Sequence, residues 1–357
     1  MGLLPQMARV LLNEHKYRPI TGKVLLIGRQ TVPLSPDNAM KLISDEGVAI
    51  RPGVTVALDH TTRNARDHNF IADRSLFNLF SDATVQALDV SDYEGAEIVC
   101  NLNDPIPDQY VGQFDFIYNG SVLDNLFDPA TSIKNLSRLL KPGGRIVHLE
   151  HGTPVNGPYL IYPVDWFFDY YAINEFQDCK TYVAHFDSLE GPWDFYAWDP
   201  VIETGNGWAT NWINHTPFRF VDYMTVIVAE KGNQSTWDRS PIQSQYRSEK
   251  EQSQYLDAAQ RFWKSERPKL EVPGGKTAEP FLRMRDTLAP RFFHQALPKS
   301  SLDTIAMFKT ILRKAKNLTK KSIKRILRGK EVQQQQEASN WASIPRTGPL
   351  VFCRTLR

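Results

Sequence analysis

The sequence predicts an α/β fold: a doubly wound, mostly parallel sheet of seven strands, followed by a mainly helical C-terminal extension. Two observations support this prediction. Short apolar runs such as Lys23–Ile27 and Phe114–Tyr118 are typical of strands that are buried on both faces of a sheet. Amphipathic segments separate such runs, and the clearest of them extends from Pro129 to Lys141. Strands that alternate with helices favour a parallel sheet with right-handed crossovers.

The other elements are predicted from the same signals. Asp37 is expected to cap a helix that extends to about Ser44 and ends at Gly47. Ser75–Phe80 is expected to form one or two helical turns. The remaining predicted strands are Val85–Val90, Ala96–Leu102, Arg145–Leu149, Tyr182–Phe186 and Tyr223–Val228, and Val54–Leu58 is an additional candidate strand.

The chain of 357 residues is long enough for one large domain with additions. A shift to a polar composition after Gly232 marks the predicted end of that domain. The predicted organisation is an N-terminal helix in 1–20, the main domain in 21–232, a polar extension in 233–300, a basic amphipathic helix in 301–330, and a linker with the C-terminal tail in 331–357. The main domain is expected to contain an insertion at about 33–75 and an aromatic region at 151–215.

Positive charge is concentrated in the predicted basic helix. Residues 305–330 contain ten Lys or Arg and no acid, whereas the whole chain has a net charge of +2, so the remainder carries −8 (2 − 10). Such a helix can lie on an anionic membrane surface, bind nucleic acid, or dock on the acidic body. No nucleic-acid motif accompanies it, so peripheral membrane contact and docking remain as the alternatives.

The cysteines and the N-terminus indicate the compartment. Cys100, Cys179 and Cys353 form neither a zinc-binding nor a disulfide pattern, which favours a reducing compartment and no metal site. No apolar run approaches 18 residues, and the N-terminus lacks the apolar core of a signal peptide. We therefore expect a cytoplasmic protein, which lies at the inner membrane face if the basic helix binds lipid.

The stretch Phe114–Glu150 carries the strongest family resemblance. It begins Phe-Asp-Phe, continues through the predicted helix, and reaches a Leu-Lys-Pro-Gly-Gly corner before the next strand. This order resembles the second half of class I S-adenosylmethionine-dependent methyltransferases. The resemblance covers about residues 20–232 and implies a Rossmann-like methyltransferase fold, with S-adenosyl-L-methionine as the cofactor.

The first turn departs from the pattern of that family. The family usually has an acid followed by Gly-x-Gly-x-Gly, because side chains there would block the cofactor from approaching the backbone. In the corresponding LIGRQTV stretch, Gly28 matches the first glycine, Leu26 replaces the acid, and Gln30 and Val32 replace the next two glycines. The resemblance still implies cofactor contacts from Gly28, Arg29 and Gln30, in a loop of different shape.

The acid that binds the cofactor ribose in this family is assigned to Asp89. It lies in Ala-Leu-Asp-Val-Ser, which resembles the family's Val-Asp-Ile-Ser, but it is 61 residues beyond Gly28, where about 20 is usual. Asp59, 31 residues beyond Gly28, is the competing candidate. The stretch after Asp89 resembles the third strand of the family and the loop that covers the adenine. Further cofactor contacts implied by the resemblance are Asp92, Asn101, Leu102, Asn119 and Gly120.

His151 is the candidate general base. It follows the predicted strand Arg145–Leu149, and ligands of open α/β sheets bind at the carboxyl ends of strands. Histidine titrates near neutrality, so an imidazole there can take a proton from a substrate hydroxyl. The alternative is a surface histidine bonded to a loop carbonyl. The family commonly has Leu-Glu-His after the fourth strand, whereas Leu123-Asp124-Asn125 lacks that histidine.

An aromatic-rich stretch is the candidate substrate region. Tyr159–Trp212 holds 16 of the 40 aromatic residues of the chain, interleaved with aspartates. Part of it is expected to be core, because aromatic side chains dominate core burial. The rest suits sugar rings, which need flat apolar faces and carboxylates for their hydroxyls. Asp165, Trp166 and Tyr170 are the candidate substrate contacts.

Two functions are compatible with the sequence. The leading prediction is an S-adenosylmethionine-dependent methyltransferase that acts on an oxygen of a hydroxylated small molecule or glycan. The resemblance is to a bacterial-type branch that is associated with surface-polysaccharide or secondary biosynthesis. The alternative, supported by the altered first turn, is a non-catalytic protein that keeps the fold and serves as a binding or scaffold module. The oligomeric state is not predicted.

Overall fold

The computed structural model describes residues 2–153, 155, 157–186, 188–198, 222–243, 246–267 and 350–356. The chain divides into two units. One unit comprises residues 1–277 and 349–357, and the other comprises residues 278–348, which lie outside the described residues. The predicted basic helix at 301–330 therefore lies outside the described part of the chain, as do most of the predicted linker and tail.

Nine strands form one sheet in the described part of the chain, in the order β3-β2-β1-β4-β5-β8-β6-β7-β9. Their bounds are β1 Lys23–Ile27, β2 Thr84–Asp89, β3 Ile98–Val99, β4 Phe114–Gly120, β5 Leu140–His151, β6 Asp178–Phe186, β7 Trp193–Trp198, β8 Tyr223–Glu230 and β9 Leu350–Leu356.

The sheet confirms the predicted fold class. The four pairings among β1–β5 are parallel, and β8, β6, β7 and β9 then join by antiparallel pairings. Seven of the nine strands therefore point in one direction, and β7 and β8 point in the other. The first seven strands in the spatial order correspond to the predicted sheet. Strands β7 and β9 extend one edge of it, and neither was predicted.

The described helices are α1 Pro5–Tyr17, α2 Pro36–Asp45, α3 Asp73–Phe80, α4 Pro129–Leu139, α5 Val164–Ile173 and α6 Glu249–Lys264. Helices α1 to α4 lie where the sequence predicts them, whereas α5 was not predicted. Helix α2 begins two residues earlier than predicted, because the Ser35 hydroxyl, and not Asp37, accepts a hydrogen bond from the backbone N–H of Asn38.

Two predicted elements differ in the structure. Val54–Leu58 forms no strand, since only an isolated bridge between Leu58 and Ile71 is present there. Helix α4 ends at Leu139, and the Lys-Pro-Gly-Gly corner belongs to the start of β5. The pairing of β5 with β4 changes register between Phe114 and Phe116, so the sheet accommodates this corner as an irregularity.

The main domain extends beyond the predicted boundary at Gly232. Phe262 of α6 is buried and makes an edge-to-face contact with Phe168 of α5, with ring centroids 5.7 Å apart. Tyr255 of the same helix is also buried. Residues 249–267 therefore form part of the packed domain, although their composition is polar.

A cluster of buried charges holds the last described residue of this segment in place. The guanidinium group of Arg267 forms ion pairs with Glu14 of α1, Asp178 of β6 and Glu230 of β8. Arg145 of β5 donates from Nη1 to the backbone oxygen of Glu14 at 2.9 Å and pairs with its carboxylate at 3.3 Å. All five side chains are at most 4% exposed, so the charges are paired inside the protein.

Within the described residues, none of the helices combines the length and the hydrophobicity that a membrane-spanning segment requires. The described residues also contain no group of three or more His, Cys, Asp or Glu side chains that could hold a metal ion.

Candidate active site

The carboxyl ends of β1, β2, β4 and β5 meet at one edge of the sheet, because these strands are parallel neighbours. Ligands of doubly wound sheets bind at such an edge, next to the point where the strand order reverses. The order reverses here between β1 and β4. Most of the predicted site residues lie in the loops that leave this edge.

Gly28 and Asp89 are neighbours at this edge. Gly28 follows β1 with a φ of +67°, in the left-handed region that favours glycine, and its N–H donates to the Leu88 carbonyl at 2.7 Å. A Cβ atom placed on Gly28 would lie 3.6 Å from Oδ2 of Asp89. The two residues therefore adjoin although they are 61 positions apart in the chain, and the whole of the predicted insertion at 33–75 lies in the connection from β1 to β2.

Asp73 at the start of α3 holds the altered turn after β1. Its carboxylate accepts hydrogen bonds from Nε of Arg29 at 2.8 Å, from Nη2 of Arg29 at 3.0 Å and from the backbone N–H of Gln30 at 3.0 Å. Nη1 of Arg29 donates to the Glu94 carbonyl at 2.7 Å. The Arg29 side chain is buried in these contacts, so its predicted contact with the cofactor is not supported.

The Gln30 side chain lies between the carboxyl ends of β1 and β4. Its Nε2 donates to the backbone carbonyls of Ile27 at 2.7 Å and Gly28 at 3.3 Å. Its Oε1 is buried and has no hydrogen-bond partner among the described residues. A Cβ atom on Gly120 would lie 2.3 Å from this oxygen, so Gly120 allows Gln30 to pack closely against β4.

The predicted adenine-side residues mostly shape their own turns. Asp92 is exposed, and its carbonyl accepts from the N–H of Gly95 at 2.8 Å. Oδ1 of Asn101 accepts from the backbone N–H of Asn103 at 3.1 Å. Leu102 is buried. Cofactor contact from these three residues stays a prediction.

His151 and Asp124 form a buried pair at the ends of β5 and β4. Nδ1 of His151 donates to Oδ2 of Asp124. The Ser121 hydroxyl donates to the same carboxylate oxygen at 2.6 Å. Burial raises the pKa of Asp124, but the hydrogen bonds from His151 and Ser121 outweigh burial and hold that pKa below its usual value. Asp124 is therefore ionised at neutral pH.

The arrangement leaves the other nitrogen of His151 available. Nε2 of His151 has no hydrogen-bond partner within the described part of the chain. Oγ of Ser121 lies 3.2 Å from Nδ1, which is the same nitrogen that bonds to Asp124. In a serine–histidine–aspartate triad the serine and the aspartate occupy different ring nitrogens. The site is consequently a histidine–aspartate pair and not a nucleophilic triad.

Asn119 is fully buried and bonded on every side. Its Nδ2 lies 2.9 Å from Nδ1 of His148 and also donates to Oε1 of Glu150, while its Oδ1 accepts from the N–H of Val122 at 3.3 Å. The predicted contact of Asn119 with the cofactor is not supported. This residue instead supports the turn that carries Ser121 and Asp124.

The three predicted substrate residues have different environments. Asp165 is exposed, and its charge helps to raise the pKa of Tyr223, after burial as the larger cause. Tyr223 packs against Gly152, the residue after His151, so Asp165 lies on the site side of α5. Trp166 is half-buried beside Tyr162, with ring centroids 4.8 Å apart.

Tyr170 is occupied by packing. It is buried, and its hydroxyl donates to the Trp237 carbonyl at 2.9 Å and lies within hydrogen-bond distance of Oγ of Ser137, at 3.0 Å. Its predicted contact with the substrate is therefore not supported. Most described aromatic residues of the predicted substrate region are likewise core residues, namely Tyr162, Phe167, Phe168, Tyr171, Phe176, Tyr182, Phe186, Trp193, Phe195 and Tyr196.

Two residues that matter at this site escaped the sequence analysis. Asp124 was grouped with Asn125 as a departure from the family, but its acid orients His151. Asp73 was assigned only to the insertion before the second strand. An acid in the turn after a strand that ends at the ligand edge was the available signal for Asp124. No local signal identified Asp73, because its partner Arg29 is 44 residues away.

The residues present fit the ribose end of a nucleotide-type cofactor. Gly28 leaves room for close approach to the backbone, and Oδ2 of Asp89, which faces that space, has no hydrogen-bond partner within the described residues. Oε1 of Gln30 is a further buried acceptor without a partner among the described residues, and it lies against Gly120. Gly28, Gln30 and Asp89 thus lie side by side, and their contact with the cofactor stays a prediction.

Comparison with known proteins identifies the domain. A family model for a methyltransferase domain matches residues 80–148. The ubiquinone/menaquinone biosynthesis C-methyltransferase UbiE of Psychromonas ingrahamii is 37% identical over 70 residues, which cover 20% of this chain and 25% of that protein. The chain therefore aligns with about a quarter of the curated relative that it matches.

Two solved structures are similar at low identity. The 1,6-didemethyltoxoflavin-N1-methyltransferase of Burkholderia thailandensis is 13% identical with a TM-score of 0.32, over 64% of this chain and 78% of that one. The CMeT domain of the citrinin polyketide synthase is 12% identical with a TM-score of 0.35, over 64% and 52% of the two chains. The match at 80–148 shows that this part of the chain carries a methyltransferase domain.

Proposed function

We propose that the protein is an S-adenosylmethionine-dependent methyltransferase that methylates an oxygen of a hydroxylated small molecule or glycan. The observation that carries this proposal is the His151–Asp124 pair at the carboxyl edge of the sheet. A pair of this kind supplies a general base, which a hydroxyl acceptor needs because it must lose its proton on methylation.

The chemistry assigned to the pair follows from its hydrogen bonds. With Nδ1–H bonded to Asp124, the neutral imidazole has its lone pair on Nε2, which can accept the proton of the acceptor hydroxyl. The ionised Asp124 then stabilises the imidazolium that forms. Positioned general bases typically contribute on the order of 10²–10⁴-fold in rate.

The cofactor is assigned to the cleft between β1, β2 and β4. Asp89 accepts from the ribose hydroxyls, and Gly28 permits close approach of the cofactor to the turn after β1. The bound cofactor supplies a methyl group already activated by its sulfonium. The protein then needs mainly to align the acceptor and to remove one proton.

An exposed aromatic pair supports a ring-shaped acceptor. Phe127 is 86% exposed and Tyr159 is 71% exposed, and their rings meet edge to face with centroids 6.1 Å apart. The backbone N–H groups of Tyr159 and Leu160 donate to the Asp124 carbonyl at 2.8 and 3.1 Å, so this pair adjoins the proposed base. Flat apolar faces of this kind bind the faces of phenolic or sugar rings.

Calorimetric titration with S-adenosylmethionine and S-adenosylhomocysteine is the first test. We expect binding of both well below millimolar concentration. Methyl transfer from methyl-labelled cofactor is then measured with a panel of phenols, sugars and lipid-linked glycans, and the product is identified by NMR. A methyl ether supports the proposal, whereas a product methylated on nitrogen or carbon contradicts the assignment to oxygen.

His151→Gln tests the proposed base directly. We expect kcat to fall on the order of 10²–10⁴-fold, while the affinity for S-adenosylhomocysteine stays within about threefold, because the histidine acts on the acceptor proton. His60→Gln, at an exposed histidine of the insertion, is the matched control and is expected to leave kcat unchanged. Equal activity of the two variants would remove His151 from the mechanism.

A scaffold function remains the second candidate, and Gln30 is the observation that favours it. Its amide already bonds the two carbonyls at the end of β1 and fills space that the family keeps open with glycine. If neither S-adenosylmethionine nor S-adenosylhomocysteine binds at millimolar concentration, the scaffold function is favoured over methyl transfer.

We also propose that residues 305–330 bind an anionic membrane surface and bring the enzyme to lipid-linked glycans at the inner face. The support is the sequence alone, with ten basic residues and no acid. Flotation of the full chain with vesicles that contain anionic lipid is expected to recover the protein, and vesicles of neutral lipid are expected not to. Recovery that is independent of lipid charge would argue against this role.

A further inference from the structure

A buried carboxyl group lies beside the proposed catalytic pair. Glu150 of β5 is fully buried, and it precedes His151 in the sequence. The proposed mechanism gives it no chemical role. A carboxyl group without a compensating contact is costly in the interior, so its hydrogen bonds indicate what it does.

Glu150 bonds to the turn that carries Asp124. Its Oε2 accepts a hydrogen bond from the backbone N–H of Asp124 at 3.1 Å. Its Oε1 accepts from Nδ2 of Asn119, whose own Oδ1 accepts from the N–H of Val122 at 3.3 Å. Two backbone N–H groups of this turn are thereby bonded to Glu150, directly or through Asn119.

His148 forms a further hydrogen bond with the side chain of Asn119. Its Nδ1 lies 2.9 Å from Nδ2 of Asn119 and its Nε2 lies 2.6 Å from the Tyr171 hydroxyl. Burial lowers the pKa of His148 to about 3, so the ring is neutral at physiological pH. A neutral ring can accept from Asn119 at Nδ1 and donate from Nε2 to Tyr171, which fixes the orientation of the amide that faces Glu150.

The side chains around Glu150 are either negatively charged or neutral. Burial and then the neighbouring Asp124 raise the pKa of Glu150, which favours its protonated form. The other groups that face it are Tyr118 and Tyr162, and Glu150 helps to raise the pKa of each, after burial. In this cluster, His151 forms its hydrogen bond with Asp124 and not with Glu150. A neutral Glu150 leaves Asp124 as the charged partner of the imidazole.

We infer that Glu150 is a positioning residue for the His151–Asp124 pair: its carboxyl group holds the backbone of Asp124, so that the Asp124 carboxylate stays on Nδ1 of His151. This inference builds on the proposed function, because the pair is the proposed base. Glu150 acts through Asp124 and touches neither the acceptor nor the cofactor.

Titration of His151 by NMR tests this role without substrate or cofactor. The ring signal is assigned by its loss in His151→Gln, and its pKa is then compared in wild type and Glu150→Leu. Loss of both acceptor atoms is expected to let Asp124 move away from the imidazole. The pKa of His151 should then fall by about 0.5–1 unit, because the carboxylate no longer stabilises the charged ring.

Glu150→Gln separates positioning from charge. Glutamine keeps one acceptor for the Asp124 N–H and carries no charge, so the pKa of His151 is expected to stay within about 0.3 unit of the wild-type value. A fall in Glu150→Gln equal to that in Glu150→Leu would show that Glu150 acts through its charge, which would overturn the inference. An unchanged pKa in Glu150→Leu would overturn it as well.

A matched control and a second variant complete the design. Glu46→Leu removes another buried carboxyl group, which pairs with Arg9 far from this turn, and it is expected to leave the pKa of His151 unchanged. If Glu150→Leu does not fold, Glu150→Asn shortens the side chain by one carbon and is expected to give the same fall. An unchanged value in that variant also overturns the inference.

Activity provides a second readout if methyl transfer is observed. Glu150→Leu is expected to lower kcat about 10-fold or more and to move the acidic limb of the kcat profile to lower pH. Binding of S-adenosylhomocysteine is expected to change by less than about threefold. Because the NMR titration requires no turnover, failure of the proposed function and failure of this inference give different results.

Discussion

Strand β5 connects two buried charged clusters of opposite character. In the middle of this strand, Arg145 belongs to the cluster that joins Arg267 to Glu14, Asp178 and Glu230. At its end, His151 and Glu150 meet Asp124. The first cluster pairs each acid with a base, whereas the second places two carboxyl groups beside one imidazole.

The difference supports the proposal that the first cluster stabilises the fold and that the second carries out the chemistry. In the Arg267 cluster, each carboxylate forms an ion pair with a basic side chain, so no charge is left without a partner. These ion pairs connect three parts of the chain that are distant in sequence. Like charges at close range are unfavourable and shift protonation, which is typical of active sites. The free Nε2 of His151 adds a group without a partner among the described residues. The following changes would break or sharpen this contrast.

Arg267→Met is expected to have the largest effect, and only on stability. It leaves Glu14, Asp178 and Glu230 without their shared base, and breaking a buried ion pair in this way typically costs about 3–5 kcal/mol. Urea unfolding measures the loss. Arg239→Met, at a half-exposed pair with Glu175, is the control and should cost less than about 1 kcal/mol. Equal losses would contradict the assigned role.

Asp124→Asn is expected to affect catalysis more than stability. The amide keeps the size of the side chain but removes the charge that stabilises the imidazolium, so kcat should fall on the order of 10²-fold. The acidic limb of the kcat profile should move to lower pH, since an uncompensated imidazole holds its proton less tightly. If the acidic limb of the kcat profile does not move, Asp124 does not influence the protonation of His151.

Asp89→Ala is expected to weaken binding of S-adenosylhomocysteine by about 1–3 kcal/mol, through loss of charge-assisted hydrogen bonds to the ribose. Asp59→Ala tests the competing acid. The Asp59 carboxylate accepts hydrogen bonds from Thr61 and Thr62 within its own loop. The Asp59→Ala variant should therefore be less stable, while its folded fraction should bind S-adenosylhomocysteine as tightly as the wild type does. Calorimetry decides between them, and an effect confined to Asp59 would reverse the assignment.

Tyr170→Phe is expected to have the smallest effect. Its hydroxyl bonds Ser137 and the Trp237 carbonyl, so its loss should cost about 0.5–1.5 kcal/mol in the free energy of unfolding. KM for the acceptor should not change, because the hydroxyl packs inside the domain. A raised KM with unchanged stability would restore Tyr170 to the substrate site.

The predictable part of the fold came from local signals. The apolar runs of β1, β4 and β5 and the periodic face of α4 are encoded within a few residues each, and the structure confirms them. Strand β7 and helix α5 were not predicted, because their aromatic composition is compatible both with a buried core and with a ligand-binding surface. Helix α6 was read as part of an extension, since only its tertiary contacts reveal that Tyr255 and Phe262 are buried.

The sequence by itself determined the α/β class, the class of the domain, and single candidates such as Asp89 and His151, because strand patterning and short motifs are local properties. Only the tertiary structure decided that Asp124 orients His151, that Asp73 holds Arg29, and that Asn119 faces inward. These pairings join residues 27 to 44 positions apart. Such contacts depend on strand order and register, which no local pattern specifies.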